Sequence, residues 1–419
     1  MSFQPSWERY VDRELLIALF VLIGLGFVVM VSASVAVAEK NYGDAYYFLN
    51  RQSVFLLLGS VAGFAIYQVK ILFWQNLGAR LLPIIVFLLI LVLIPGIGKE
   101  VNGSYRWFSF AGFSFQISEF AKLGIIVYMS GYLLRHGKNL AQSVSWLPLI
   151  VPLVVLALVD VLLMLEPDFG STVVVTTTVI AMLFLGGVKF SRIAVLMAVM
   201  VVMAIPLVMM GYRGARIAAY FDPWANASGK AYQTVHALMA VGDGGWFGAG
   251  LGGGVQKLFY LPEAHNDFVF AVLAEEFGFV GIIFTLFLFA WVVQRAFVIG
   301  FNADKVKLHF AAYIAYGIGF WIGFQSLFHM GVNLALLPPK GLTLPLISYG
   351  GSSILVTLIA MAFLMRVHRD TQIALFGLSA RELVKQKKRK VSVKRKVSKR
   401  TPVKKTVKKR RSAVTRKKK

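Results

Sequence analysis

The sequence predicts an all-α polytopic membrane protein of about ten transmembrane helices, with a large extracytoplasmic loop between helices 7 and 8. Three observations carry that prediction. Of 419 residues, 58% are hydrophobic, and mean hydropathy is +0.71. Apolar runs long enough to cross a hydrocarbon core of ~30 Å recur from residue 15 to residue 365. Charge is segregated: residues 385–419 hold 20 Lys or Arg and no acid, most of the formal charge of +25. Length alone would suggest about three soluble domains, but the spread of apolar runs leaves no room for one. With no cysteine, the chain has no disulfide framework, thiolate nucleophile or cysteine-based metal site.

The elements follow in order. Residues 1–14 are polar and include Glu8 and Asp12. The apolar run after them lacks a small-residue cleavage site, which predicts an uncleaved signal anchor. Predicted spans are 15–37, 52–69, 78–95, 116–134, 147–165, 171–187, 192–210, 267–294, 308–336 and 345–366. An even number places both termini on one side, and the basic tail makes that side the cytoplasm by the positive-inside bias. The membrane domain is therefore 15–366. The cytoplasmic remainder, 367–419, begins with a short amphipathic segment and continues as Lys/Arg-rich low complexity, expected to be disordered. No internal repeat suggests an inverted-repeat transporter.

Two outer segments stand out. Residues 96–115 are glycine-rich and aromatic. The loop 211–266 far exceeds the ~15 residues beyond which loops are usually functional or disordered. Its Tyr212, Trp224, Trp246, Phe247 and Tyr260 favour re-entrant or interfacial packing over the bundle.

Five polar or glycine-rich blocks exceed what spanning requires. In the first, Arg106-Trp107 precedes Ser118-Glu119-Phe120-Ala121-Lys122. Glu119 and Lys122 share a helix face and can pair, as a structural ion pair or as part of a site. Glu166-Pro167-Asp168-Phe169-Gly170 reads as a turn with solvated acids. Arg213 and Arg216 suit either a pyrophosphate or lipid headgroups. The dense glycines of 242–254 permit a chain that doubles back and lets a ligand approach the backbone. They lead through Glu263 and His265 to Asp267, a carboxylate at the entrance to an apolar span. Such a group is costly beside hydrocarbon and usually marks function. The plainer alternative is an N-cap for that span. Last, Lys340 to Ser353 is a glycine-broken polar segment tolerated only against protein or a wet cavity.

At these residues the sequence resembles the SEDS family (shape, elongation, division and sporulation), over about residues 10–370. Its most specific pieces are Leu261-Pro-Glu-Ala-His-Asn-Asp-Phe268, the run Lys340 to Ser353, and Arg106-Trp107 with Ser118 to Lys122. The stretch Gln256 to His265 is closer to the division branch than to the elongation branch. Departures from the family pattern are Ile117, His236, Asp243, Asn266, His329 and Pro339.

The resemblance implies a glycosyltransferase that polymerises lipid II into β-1,4 glycan with inversion during septal wall synthesis. It implies Asp267 as the key carboxylate, and a base of that kind fits the chemistry. Lys122, Arg213, Arg216, Lys340 and Arg106 are candidates for the pyrophosphate, with Glu119 orienting Lys122. Glu263, His265, Ser348, Gly350 and Gly351 are candidate supports. A divalent cation could share the leaving-group role, although no metal motif is present, and no other cofactor is implied. Expected partners are lipid II, membrane lipids and a class B penicillin-binding protein, with no specific nucleic acid. The expected location is the bacterial inner membrane at the septum. A lipid II transporter, a division scaffold and the elongation branch of the family remain open as alternatives.

Overall fold

The computed structural model describes residues 10–101, 104–110, 112–143, 145–209 and 220–400. Three helices come first: α1 (Arg13–Tyr42), α2 (Tyr47–Gln68) and α3 (Ile71–Val92). A small sheet follows, made of β1 (Gly98–Val101), β2 (Ser104–Phe110) and β3 (Phe113–Gln116). The chain then continues through α4 (Ile117–Gln142), α5 (Leu147–Leu165), α6 (Phe169–Leu185) and α7 (Phe190–Met209). Between α7 and α8 (Tyr232–Gly244) the described residues include a 3-10 turn (Trp224–Asn226). The last three helices are α9 (Val269–Lys305), α10 (His309–Asn333) and α11 (Gly351–Arg400).

Eight helices among the described residues are long and apolar enough to cross a membrane: α1 to α5, α9, α10 and the Gly351–Gly377 part of α11. Two shorter apolar helices, α6 and α7, occupy the sixth and seventh predicted spans. Burial sorts the helices by what they carry. The best windows of α4, α10 and α11 have mean hydropathies of only 1.3, 1.2 and 1.6, and they are 83%, 67% and 78% buried. Those of α1, α3 and α5 reach 2.9, 2.0 and 2.7 with no more than 33% buried. Polar side chains are costly against lipid, so the least apolar helices form the interior and the most apolar ones the wall; α2 is the exception, at 1.3 with 22% buried.

Two expectations are corrected. The segment after α3 is an antiparallel meander in the order β1-β2-β3, pairing Val101 with Ser104 and Phe110 with Phe113. Alternating aromatic and polar residues at 105–110 and 113–116 have the period of two that a strand requires. The last span begins at Gly351 rather than 345, and residues 334–350 are an irregular loop whose stretch 342–348 is largely buried. Beyond residue 372 the described residues, 373–400, are helical. Over 385–400 Lys and Arg are good helix formers, and neither Gly nor Pro intervenes. Residues 401–419 lie outside the described residues.

Candidate active site

Asp267 lies two residues before α9, and its carboxylate is not a cap. The N-cap of α9 is Phe268, with no side-chain capping bond. The side chain of Asp267 instead lines a cavity of about 430 Å³. Arg51 and Phe55 of α2 form one wall, and Arg106, Trp107 and Gln116 of the sheet form another. Glu263, Asn266, Asp267 and Gly341, Thr343 and Tyr349 to Ser353 close it. On its other side Asp267 borders a smaller cavity of about 160 Å³, shared with Gln233, Phe268, Pro339, Lys340 and Gly341. A Cβ on Gly341 would stand 3.1 Å from Asp267 Oδ2, so glycine leaves the carboxylate its room.

Burial pushes the Asp267 carboxyl from 3.8 up to about 7; Glu263 raises it further and Arg106 draws it down. A carboxylate with that affinity for protons suits general-base work near neutral pH. The buried His265 ring lies 4.4 Å from Phe48 and 5.7 Å from Tyr349 between centroids, and desolvation lowers its pKa, so the imidazole is neutral.

Behind Asp267 the backbone is held at three consecutive carbonyls. Tyr349 N donates to His265 O (2.9 Å), Ser348 Oγ to Asn266 O (2.8 Å) and Asn333 Nδ2 to Asp267 O (3.0 Å). Ser348 thus acts from behind the cavity wall, while Gly350 and Gly351 form part of that wall.

Arg106 reaches the cavity from β2. Its Nε donates to Glu166 O (2.6 Å) and its Nη2 to Pro167 O (2.9 Å). The turn it grips overturns the reading of solvated acids, for Glu166 and Asp168 are 0% and 4% exposed. Asp168 caps α6 through Ser171 N (3.0 Å) and accepts from Ser118 Oγ (2.7 Å) and Gln116 Nε2 (3.1 Å). Burial and the neighbouring Asp168 push Glu166 from 4.5 up to about 9, against the pull of Arg106, which keeps it protonated at neutral pH.

Glu119 and Lys122 pair at 2.8 Å, nearly fully buried. Lys122 Nζ also donates to Gln325 Oε1 (2.9 Å), and Gln325 Nε2 donates to Thr343 O (2.8 Å). The pair therefore braces the loop that carries Gly341, and Lys122 does not line the cavity. Lys340 lines the smaller cavity with its Nζ 4.4 Å from the Phe169 ring centroid. Arg213 and Arg216 lie outside the described residues. Arg51 was not singled out in the sequence because it stands at the edge of a predicted span. It donates to Gly112 O and packs 5.1 Å from the Tyr47 ring centroid. Among the described residues no three His, Cys, Asp or Glu side chains are grouped to hold a metal ion.

The glycine-rich segment packs against α9. Helix α9 breaks at Gly278 (φ 64°, ψ −162°). Ala249 N and Gly250 N donate to Glu275 O and Glu276 O (2.9 and 3.1 Å), and Phe279 N and Val280 N donate to Gly245 O and Trp246 O (2.9 and 3.1 Å). The segment thus satisfies backbone groups freed by the break, as a bilayer demands. A Cβ on Gly248 would lie 2.1 Å from Glu276 O, and one on Gly278 2.4 Å from Gly248 N. The α9 backbone thus approaches Gly248, and the loop backbone approaches Gly278. Lys257 fastens the loop by pairing with Glu276, and Ser32 Oγ of α1 donates to the same carboxylate (2.7 Å).

The family model described as "Cell cycle protein", FtsW/RodA/SpoVE, matches residues 13–373. A relative from Thioalkalivibrio sulfidiphilus called "Probable peptidoglycan glycosyltransferase FtsW" is 46% identical, covering 88% of this chain and 92% of its own. One of the same name from Legionella pneumophila is 45% identical, over 88% and 93%. Among solved structures, a chain of a peptidoglycan synthase complex matches with a TM-score of 0.72 at 28% identity, covering 86% of this chain and 98% of that one. The rod shape determining protein RodA of Thermus thermophilus matches with 0.63 at 29% identity, over 86% and 97%. The chain is a member of the FtsW/RodA/SpoVE family of cell cycle proteins, the SEDS family that its motifs resemble.

Proposed function

We infer that this integral membrane protein is a peptidoglycan glycosyltransferase that polymerises lipid II, with Asp267 as general base. The observation that carries the reading is a carboxyl tuned to about 7 on the wall of a cavity that also holds Arg51 and Arg106. The acceptor sugar's 4-hydroxyl gives its proton to Asp267 as its oxygen attacks the donor's anomeric carbon. The bond to the undecaprenyl-pyrophosphate oxygen breaks, the electron pair leaves with the pyrophosphate, and the α-linked donor becomes a β-1,4 product. Cations stabilise charge as it develops on the leaving group. Arg106 and Arg51 serve from the larger cavity and Lys340 from the smaller one, with Arg213 and Arg216 in the same role. Lys122 acts through Gln325 on the loop rather than on the substrate.

The site faces the outside of the inner membrane at the septum, both termini are cytoplasmic, and a class B penicillin-binding protein cross-links the strands. The test is turnover: purified protein in detergent with lipid II makes a glycan ladder, and Asp267→Asn reduces the rate at least the ~10²-fold typical of losing a general base. Product from lipid II excludes both a transporter and a scaffold. Normal rates from well-expressed Asp267→Asn would remove the base assignment.

A further inference from the structure

Asn333 closes α10 and is 0% exposed. Every hydrogen-bonding position of its carboxamide that the geometry can fill is filled. Nδ2 donates to Asp267 O (3.0 Å) and to His329 O one turn back in α10 (2.9 Å), and Oδ1 accepts from Ala271 N (3.0 Å). Residues 267 and 271 are the pair that an uninterrupted α-helix would join directly, N–H(271) to O=C(267). The Asn333 amide stands in that bond, its acceptor on one residue and its donor on the other. Ala271 N is shared with Phe268 O (3.0 Å), a tighter turn that leaves residue 267 outside the helix.

We propose that Asn333 is the positioning residue of the Asp267 carboxylate, with Ser348 as its second support. By standing in for the first helical hydrogen bond, Asn333 keeps Asp267 off the helix and faces its side chain into the cavity. Ser348 holds the next carbonyl upstream at Asn266 (2.8 Å), and its own oxygen accepts from Leu344 N (2.8 Å), tying the base to the Gly341 loop. Only a carboxamide supplies a donor and an acceptor at this spacing. Aspartate at 333 keeps an acceptor for Ala271 N, but ionised it donates to neither carbonyl and protonated it supplies one donor where the amide supplies two. Neither Asn333 nor Ser348 lines the cavity, so their contribution falls on the base and not on substrate affinity. The inference rests on the polymerase reading given above.

The experiment compares full-length wild type, Asn333→Ala, Asn333→Asp, Ser348→Ala and Asp267→Asn in detergent. Initial rates are taken across a lipid II series and normalised to monodisperse protein, and Tm is measured alongside. A misplacement of about 1 Å costs ~10²-fold, so Asn333→Ala and Asn333→Asp are expected to lose kcat on that scale with KM within about twofold. Ser348→Ala removes the donor to Asn266 O and the acceptor of Leu344 N; the lost hold on Asn266 O, ~1 kcal/mol, is expected to cost about fivefold in kcat. A structural role alone would lower Tm and leave the kcat of the surviving monodisperse protein unchanged. Should Asn333→Ala fail to insert, Asn333→Asp and Ser348→Ala carry the same comparison of kcat against KM. Folded variants with kcat near wild type, or with KM raised at constant kcat, overturn the proposal while an inactive Asp267→Asn leaves the polymerase reading standing. A wild type that makes no glycan overturns both.

Discussion

Lowering the pH from 8 to 6 should cut kcat/KM about tenfold, because the proposed base lies near the middle of its titration. With a carboxyl at about 7, about nine-tenths of the sites are ionised at pH 8, half at pH 7 and about one-tenth at pH 6. A carboxyl at its ordinary 3.8 would stay ionised throughout and give a flat profile. Because the folded-state value is raised, the active form gains as pH rises through 7 and is lost below it. Initial rates with fluorescent lipid II at subsaturating concentration report the free enzyme's pKa. Two substitutions fix the assignment by sign. Glu263 raises the Asp267 value and Arg106 lowers it, so Glu263→Gln should move the midpoint down and Arg106→Gln should move it up. Residual activity of Asp267→Asn should lose this limb. A flat profile between pH 6 and 8, or a limb indifferent to Glu263→Gln and Arg106→Gln, would refute the reasoning.

Other outcomes follow from the same geometry. Lys122→Met leaves Glu119 as an unpaired buried charge and should cost ~3–5 kcal/mol, seen as a lower Tm by fluorescence-detected gel filtration; Lys122→Met with Glu119→Leu should recover most of it. Polymerisation restored in that double variant would assign Lys122 to support, whereas a stable but inactive one would return it to the pyrophosphate. Gly248→Ala sets a methyl against the Glu276 carbonyl at a φ of 81° and should destabilise by ~2 kcal/mol or more, again read as Tm; an unchanged Tm would show that the segment does not pack on α9. Truncation after Val384 should leave lipid II polymerisation in detergent within about twofold, because the proposed reaction uses no residue of the tail; a well-inserted truncation without activity would contradict that division of labour.

Some of this site was legible in the sequence and some was not, for definable reasons. Asp267 and Arg106 stood out as costly groups at membrane edges within compact motifs, and both line the cavity. The spacing of Glu119 and Lys122 announced their pair, but not that Gln325, distant in sequence, would take the remaining lysine donor. Arg51 sat at the margin of an apolar run and read as a boundary charge. Asn333 carried no local signal, because its worth lies entirely in bridging residues 62 and 66 positions away. The acids at 166 and 168 misled because a Pro-containing turn usually faces water, and here α4, α6 and the sheet cover it. The sheet itself was hidden by its aromatics, which fit a membrane-surface loop as well as a strand.

The buried pair in α4 also bears on how the chain enters the membrane. A helix of mean hydropathy 1.3 carrying two charges is a poor candidate for insertion. The residue that finally accepts from its lysine, Gln325, comes 203 positions later. During synthesis α4 must therefore remain in or beside lipid long before α10 exists. Because Glu119 and Lys122 are three apart, they can neutralise each other within the helix as soon as it forms. The local pairing works as a provisional escort for an interior helix, and the cross-helix bond to Gln325 replaces lipid contact only once the last spans arrive.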